Sequence, residues 1–208
     1  MNKAEGRSTI NIKRLTMWKQ LVDTENTLEY ETEPHKFENQ MQTARYTPSM
    51  QTAPQYGDGI KVEDYAAKDG GTIDIGIRGY ADGDEEFLYG NTKNSAGVIT
   101  SNSGDVVPYV CVAYATERPD HTLNLYKFPR TKLTPQGEDS RQREGTSINY
   151  ATTTLSGTYS PTINNGDDMH KIIGVDPKVE ADAEFIEKWF TEPLFIGETT
   201  TDEGTETG

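Results

Sequence analysis

Histidine and cysteine, the side chains that most often bind metals or act as nucleophiles, are few and scattered in this chain. His35, His121 and His170 lie in three separate turn-like segments, and none has a histidine partner two or four residues away. A zinc site normally takes three or four His, Cys or carboxylate ligands at short spacing. The pattern therefore favours three solvent-exposed histidines over a metal centre.

The only cysteine is Cys111, which excludes an internal disulfide and a cysteine-based zinc cage. It lies in the apolar run Val110-Cys111-Val112, and a buried free cysteine behaves as a small hydrophobic residue. We therefore predict that Cys111 lies in a core strand and is not a reactive thiol.

The densest group of carboxylates is formed by Asp82, Asp84, Glu85 and Glu86. It lacks the alternating Asp/Asn ligands, the central glycine and the closing glutamate of a calcium-binding loop. The spacing of Asp82 and Glu85 is instead typical of a capped helix N-terminus. Motifs of serine hydrolases, zinc proteases and phosphate-binding loops are also missing. We therefore predict no catalytic residue, no metal and no cofactor, and expect a protein that is not an enzyme.

The composition of the chain is acidic and polar. Lys and Arg number 20 against 34 Asp and Glu, which gives a formal net charge of −14, and the mean hydropathy is −0.77. This excess of negative charge disfavours nucleic-acid binding through a broad basic patch. The longest apolar run, residues 106–116, is much shorter than a membrane-spanning helix, and the N-terminus lacks the apolar part of a secretory signal. We expect synthesis in the cytoplasm and no membrane insertion.

Residue patterns predict a mainly antiparallel β domain. Ile73, Ile75 and Ile77 alternate with polar residues, as in a strand with one buried face. Apolar or Thr-rich runs between turn-forming residues predict the other strands. These are residues 15–22, 27–30, 98–100, 106–115, 123–128 and 147–159, with Pro108 at an edge or a strand start and 123–128 paired with 106–115.

Two short helices are predicted beside these strands. The first covers residues 82–90 and ends at Gly90. The second follows Asp176-Pro177 and carries the apolar stripe Val179, Ala183, Ile186 and Phe190. An antiparallel sheet flanked by helices is the resulting architecture.

The ends of the chain and one internal segment differ in composition from the rest. Residues 1–14 form a basic stretch that we interpret as a flexible N-terminal arm, and residues 196–208 an acidic, low-complexity tail that we expect to be disordered. Residues 15–195 then form the β domain. Within it, residues 35–59 are rich in Gln, Thr, Pro, Met and Tyr and keep no strand or helix period. Such a segment is either a long functional loop or part of a hairpin arm.

Several segments occur in an order that resembles a known protein family. They are Tyr56-Gly57-Asp58-Gly59, the Gly-flanked strand from Gly71 to Tyr80, the helix end Phe87-Leu88-Tyr89-Gly90, the Pro-led strand from Val107 to Tyr114, the strand from Leu123 to Phe128, the strand from Thr153 to Tyr159, and the closing helix from Ala183 to Phe190. Over residues 15–195 their order resembles that of the major tail protein (tail tube protein) family of bacteriophages with long non-contractile tails.

The resemblance implies a fold and a role. The fold would be an antiparallel β-sandwich or half-barrel with one or two flanking short helices. Copies would close into hexameric rings that stack into the tail tube, a virion structure assembled in the bacterial cytoplasm. The implied partners are other copies, the tape-measure protein, tail-tip proteins and the tail terminator, with viral DNA in transient, non-specific passage. Acidic side chains facing the channel would repel that DNA.

Two sets of residues are candidates for assembly contacts. The long segment supplies apolar and aromatic side chains that could reach a neighbouring copy, and the N-terminal arm supplies cations that could dock on an acidic neighbour. These residues are Phe37, Met41, Tyr46, Met50 and Tyr56 in the segment, and Lys3, Arg7, Lys13 and Arg14 in the arm.

Two other functions remain open at this point. The chain could be a single-ring tail-tip or tail-completion protein with the same fold. It could also be a β-sandwich that binds carbohydrate or protein, with Trp18, Trp189 and several tyrosines as a stacking platform.

Overall fold

A computed structural model describes residues 8–57, 60–137 and 152–195, except for the side chains of 53–57 and 60–65. The predicted class is confirmed: the described chain is mainly β, with a large antiparallel sheet and two helices. The elements are β1 (Asn11–Asp23), β2 (Leu28–Tyr30), β3 (His35–Lys36), β4 (Met41–Gly57), β5 (Ile60–Ile77), α1 (Asp84–Tyr89), β6 (Thr92–Lys93), β7 (Ile99–Thr100), β8 (Tyr109–Glu117), β9 (Leu123–Thr134), β10 (Thr153–Tyr159), β11 (His170–Val175) and α2 (Glu180–Thr191).

Nine of the described strands form one sheet, whose order is β2-β1-β8-β9-β10-β5-β4. Strand β3 pairs with β1, and β11 pairs with β9. The predicted pairing of residues 123–128 with the preceding long strand is confirmed, since β8 and β9 pair antiparallel from Glu117 opposite Leu123 onwards. Pro108 directly precedes β8, as a strand-start proline should.

The sheet is strongly curved around an inner core. The ring centroid of Tyr46 on β4 lies 6.0 Å from that of Tyr126 and 5.5 Å from that of Phe128 on β9, although β5 and β10 separate β4 from β9 in the sheet. Ile73, with Ile75 and Ile77 on the same face of β5, is fully buried in this core. Helix α1 adds its own buried apolar side chains at one end.

A second core lies on the opposite face of the sheet, under α2. Helix α2 buries Ile186, Trp189 and Phe190 against Trp18 and Cys111. The predicted burial of Cys111 is confirmed, and burial raises the pKa of its thiol to about 12. The sheet therefore packs on both faces over β1, β8 and β9, which explains why each of these strands has a continuous run of buried residues.

The most unusual group in this outer core is the buried ammonium of Lys127. Its Nζ lies 4.7 Å from the ring centroid of Trp189 and 5.4 Å from that of Trp18. It donates hydrogen bonds to the backbone oxygens of Glu192, at 2.8 Å, and Phe195, at 3.3 Å. These carbonyls follow the end of α2, where a cation is favourable. One side chain thus joins β9, β1 and the segment that leaves α2.

Several sequence-based boundaries are wrong, among them the start of the first strand, and one interpretation that was left open is decided by the structure. Strand β1 begins at Asn11 and not at residue 15, because residues 11–13 pair with 115–117 of β8. The flexible arm of 1–14 is therefore too long at its C-terminal end. Of the two interpretations left open for residues 35–59, the hairpin arm is correct, because most of the segment belongs to β4.

Three local predictions also need correction. The N-cap of α1 is Gly83, without a side-chain cap bond, and not Asp82, because Asp84 hydrogen-bonds the backbone N–H of Ala81 from inside the helix. His35 and His170 are partly buried and only His121 is exposed. Strand β11 has no counterpart among the predicted strands, and only its last residue, Val175, is buried.

The environment of Lys127 makes stability depend on pH. Burial lowers the pKa of Lys127 from 10.5 to about 8, so between these values the unfolded chain holds a proton that the folded chain has lost. Stability should therefore rise with pH in this window. Above pH 9 the raised pKa of Cys111 has the opposite effect, because the folded chain then keeps a proton that the unfolded chain has lost, and stability falls with pH. Relative to Lys127→Met, we expect the wild-type free energy of unfolding to gain about 1 kcal/mol between pH 8 and 9.

Urea unfolding followed by tryptophan fluorescence measures this difference, because both tryptophans of the chain contact Lys127. A wild-type minus Lys127→Met difference that does not change between pH 8 and 9 would contradict the proposed protonation change.

Candidate assembly surface

The most prominent surface feature is the hairpin of β4 and β5. Strand β5 pairs with β10 from Ile77 to Gly71, and beyond Gly71 it pairs only with β4 within the described residues. We call the part of the hairpin beyond this point, residues 49–57 and 60–70, the arm. At about 3.3 Å per residue it extends for about 30 Å. A two-stranded ribbon is marginally stable by itself, so packing against another surface would stabilise the arm.

Glycines mark the point where the arm leaves the sheet. Gly70 has a φ of 63°, and a Cβ there would lie 2.0 Å from the backbone oxygen of Tyr159. A Cβ on Gly71 would lie 2.2 Å from the backbone oxygen of Thr47. Only glycine allows strands β4, β5 and β10 to approach this closely, so the origin of the arm is fixed by backbone packing.

The outer edge of β4 has two different parts. From Met41 to Thr47 it contains no proline, and within the described residues no strand pairs with it, although β1 approaches β4. Farther out, Pro48 and Pro54 remove backbone donors from the ladder. The inner part of the edge can therefore accept another strand, whereas the prolines protect the arm against edge-to-edge pairing.

The face of β4, β5 and β10 that points away from the inner core is polar and is not covered by α2. In register, Arg45 stands opposite Asp74, and Asp74 accepts a hydrogen bond of 2.6 Å from Ser156 Oγ. The neighbouring row runs across the four strands as Thr47, Thr72, Thr158 and Lys132. We call the outward residues of these strands the polar face: Thr43, Arg45, Thr47, Thr72, Asp74, Gly76, Lys132, Thr134, Thr154, Ser156 and Thr158. Its charged residues are Arg45, Lys132 and Asp74, so it is almost neutral in a chain of charge −14.

The predicted contact residues of the long segment differ in how far they are exposed. Phe37 is only 2% exposed, and Met41 and Tyr46 pack against the inner core. Phe37 is therefore not accessible to a neighbouring copy, whereas Met41 and Tyr46 are only partly buried and their contact with a neighbour stays a prediction. Met50 is 66% exposed on the arm. Tyr56 belongs to β4, and its side chain lies outside the described ones.

The two described basic residues of the N-terminal stretch, Lys13 and Arg14, are not free to bind a neighbouring copy either. Lys13 Nζ lies 3.1 Å from Glu117 Oε2, and hydrogen bonds from His121 and Lys13 lower the pKa of Glu117 to about 2. Arg14 pairs with Glu187 on α2 at 2.5 Å. Both cations thus bind carboxylates of the same chain. Lys3 and Arg7 lie outside the described residues.

Other kinds of site find little support in the described residues. No three His, Cys, Asp or Glu side chains there come together as metal ligands. Trp18 and Trp189 are buried, so they cannot form the stacking platform that a carbohydrate-binding module would need. Neither described helix combines the length and the apolar character needed to cross a membrane.

Sequence comparisons add no relative from which a function could be transferred. Neither a protein-family model nor a curated protein sequence matches the chain. The assignment of function therefore depends on the surfaces described above.

Sequence reasoning missed the polar face and the open edge. Thr154 and Thr158 alternate with the buried Leu155 and Tyr159, so the outward threonines could have been found from the period of β10. The open edge could not, because it depends on which strand lies last in the sheet.

The arm can be shortened to test its role. Replacing residues 50–68 by Asn-Gly removes no described side chain that is buried, and Asn-Gly is a favoured two-residue hairpin turn. We expect the free energy of unfolding to change by less than about 1 kcal/mol, while self-assembly, measured by light scattering, is lost.

A single substitution gives a matched comparison. Met50→Ser removes an exposed apolar side chain from the arm and should weaken assembly, whereas Val179→Ser removes one of similar exposure near α2 and should not. If the shortened variant, Met50→Ser and Val179→Ser all assemble as the wild type does, the arm makes no contact between copies.

Proposed function

We propose that this chain is the structural subunit of a bacteriophage tail tube, which assembles as stacked hexameric rings around a channel for DNA. The observation that carries the proposal is the hairpin of β4 and β5, which joins an open sheet edge, Met41 to Thr47, to a projecting arm. The fold would then be the half-barrel with flanking helices that the sequence resemblance implies.

An open, regular strand edge is a hazard for a protein that stays monomeric. Unpaired backbone N–H and C=O groups template aggregation, and stable monomers usually block them with prolines, charges or bulges. Here Pro48 and Pro54 interrupt the outer part of β4, whereas the inner edge contains no proline and has only one bulge, between Met41 and Thr43, and one charged residue, Arg45. A ring formed by head-to-tail contacts uses such an edge in every copy and leaves none open, because the rotation closes.

The polar face suits the wall of such a channel. A protein holds DNA mainly through Lys and Arg side chains that neutralise phosphates. On the polar face Arg45 is opposed by Asp74, the ammonium of Lys132 lies 5.2 Å from the ring centroid of Tyr109, and the remaining positions are largely hydroxyl groups. A channel wall of this kind would neither attract nor strongly repel DNA, in contrast to the acidic wall expected from composition.

Negative-stain electron microscopy of the concentrated protein, with light scattering of the same sample, tests the proposal. Tubes of stacked six-fold rings are the expected result. Single rings that do not stack would favour the alternative of a tail-tip or tail-completion protein. A chain that stays monomeric even after addition of a purified tail-tip complex would contradict the proposal.

The placement of the polar face can be tested within assembled tubes. In Thr72→Cys the new thiol lies on the polar face, and in Lys178→Cys it lies beside α2, which covers the other half of the same face of the sheet. The native Cys111 is buried and adds little background. A bulky polymer maleimide should label both variants as monomers, but after assembly it should label only Lys178→Cys. Equal labelling of both in tubes would place the polar face outside the channel.

A further inference from the structure

Strands β4 and β5 are paired irregularly at the origin of the arm. From Pro48 to Met50 the pairing advances two residues along β4, whereas from Gly71 to Lys68 it passes three residues of β5. The extra residue makes a β-bulge, which bends a strand and increases its local twist. Gly70, inside the bulge, has a φ of 63°. The hairpin therefore bends between the part that pairs with β10 and the part that projects.

A lysine immediately beyond this bend is paired with the rest of the chain. Lys68 lies opposite Met50, in the first strand pair of the arm. Its Nζ lies 2.8 Å from Asp168 Oδ2 and donates a hydrogen bond of 3.0 Å to Oδ1. The side chain of Asp168 is only 14% exposed, whereas that of Lys68 is 52% exposed. The arm is thus joined, next to its bend, to a carboxylate that is largely enclosed.

Asp168 belongs to the segment of residues 160–169 that links β10 to β11, which we call the bracket loop. The backbone N–H groups of Ile163 and Asn164 donate to the carboxylate of Asp23, the last residue of β1, at 3.0 and 3.2 Å. The side-chain amide of Asn164 donates to two backbone oxygens of the turn after β1, at 3.3 and 3.2 Å. One end of the bracket loop is therefore fixed to β1.

Further hydrogen bonds make the bracket loop rigid between β1 and the arm. The N–H of Ser160 donates to the backbone oxygen of Arg130 on β9 at 2.9 Å. The N–H of Thr162 donates to the backbone oxygen of Asp167 at 3.1 Å, which holds the residue before Asp168 against the anchored part. The bracket loop thus connects β1 to the arm, two places that β8, β9 and β10 separate in the sheet.

The other polar contact of the arm does not reach the rest of the chain. Gln51 Nε2 donates to Asp69 Oδ2 at 3.3 Å, and both residues belong to the arm. Among the side chains of the arm that the structure describes, Lys68 is therefore the one with an ion pair to a residue outside the arm.

We propose that Lys68 and Asp168 are positioning residues, whose ion pair sets the angle at which the arm leaves the sheet. The part of this inference that concerns assembly rests on the proposed function, because the angle matters when the arm must meet another copy. An arm held at one angle loses less entropy on such a contact than a mobile one. Since salt weakens partly exposed ion pairs, the angle also depends on ionic strength.

The test measures the arm in the monomer. Spin labels at Thr52→Cys on the arm and Lys178→Cys beside α2 report their separation by double electron–electron resonance, and the native Cys111 is buried. The intact ion pair should give one narrow distance distribution. In Asp168→Asn the ratio of held to released arm should fall about two- to fivefold, the size usual for a partly exposed ion pair. Raising NaCl from about 50 mM to about 1 M should broaden the wild-type distribution similarly and change Asp168→Asn little.

Charge reversal gives a test that depends on the sign of the interaction. Lys68→Asp and Asp168→Lys each bring like charges together and should broaden the distribution more than Asp168→Asn does. The double variant, which restores opposite charges, should recover the narrow distribution. Asp69→Asn, whose carboxylate contacts only the arm, is the matched control and should have no effect. Circular dichroism checks that each variant folds, and an unchanged distribution in both single reversals would overturn the proposal.

Tube formation by the same variants, without spin labels, is scored separately by electron microscopy. If charge reversal releases the arm but tubes form normally, Lys68 and Asp168 position the arm as proposed and the role of the arm in the tube is wrong. If the arm keeps its angle in every variant, the role assigned to the ion pair is wrong whether or not tubes form.

Discussion

The buried ammonium of Lys127 is the interaction on which the outer half of the structure depends. A charge in a protein interior is tolerated only where dipoles and aromatic faces replace its water. Here the two tryptophans and the carbonyls after α2 supply that replacement, which requires α2, β1 and β9 to hold their mutual positions. A well-packed apolar side chain can give equal stability at such a site, so the ammonium contributes a defined geometry for the exit of the chain from α2.

With α2 held over β1, β8 and β9, the sheet has two unlike halves. Over β1, β8 and β9 both faces are covered, by the inner core and by α2. Over β4, β5 and β10 only the inner face is covered, and the other presents the polar face. The same sheet thus offers a rigid, helix-backed half and a half with an open edge, a polar face and an arm. This asymmetry is what a subunit needs when one side faces a channel and another meets its neighbours.

The arm shows why a site of this kind is hard to recognise in a sequence. A strand is predicted from alternation when one of its faces is buried. Beyond Gly71 the described side chains of β4, those of Met50, Gln51 and Thr52, are all exposed, so no period of two develops there. The aromatic residues that suggested an interface, Phe37 and Tyr46, instead fill the inner core. Composition identified the segment, but it could not separate inward from outward side chains.

The sequence by itself determined the local elements of this protein. Alternation in residues 73–77, the buried run around Cys111 and a helix after Asp176-Pro177 each follow from neighbours along the chain, and the structure has all three. Of the predicted stripe Ile186 and Phe190 are buried, together with Trp189, whereas Val179 is exposed. Only the tertiary structure decided that β4 is the last strand of the sheet, that Lys127 lies between two tryptophans and that Lys68 meets Asp168. These depend on residues tens of positions apart, which are brought together by curvature of the sheet, and no local period encodes that curvature.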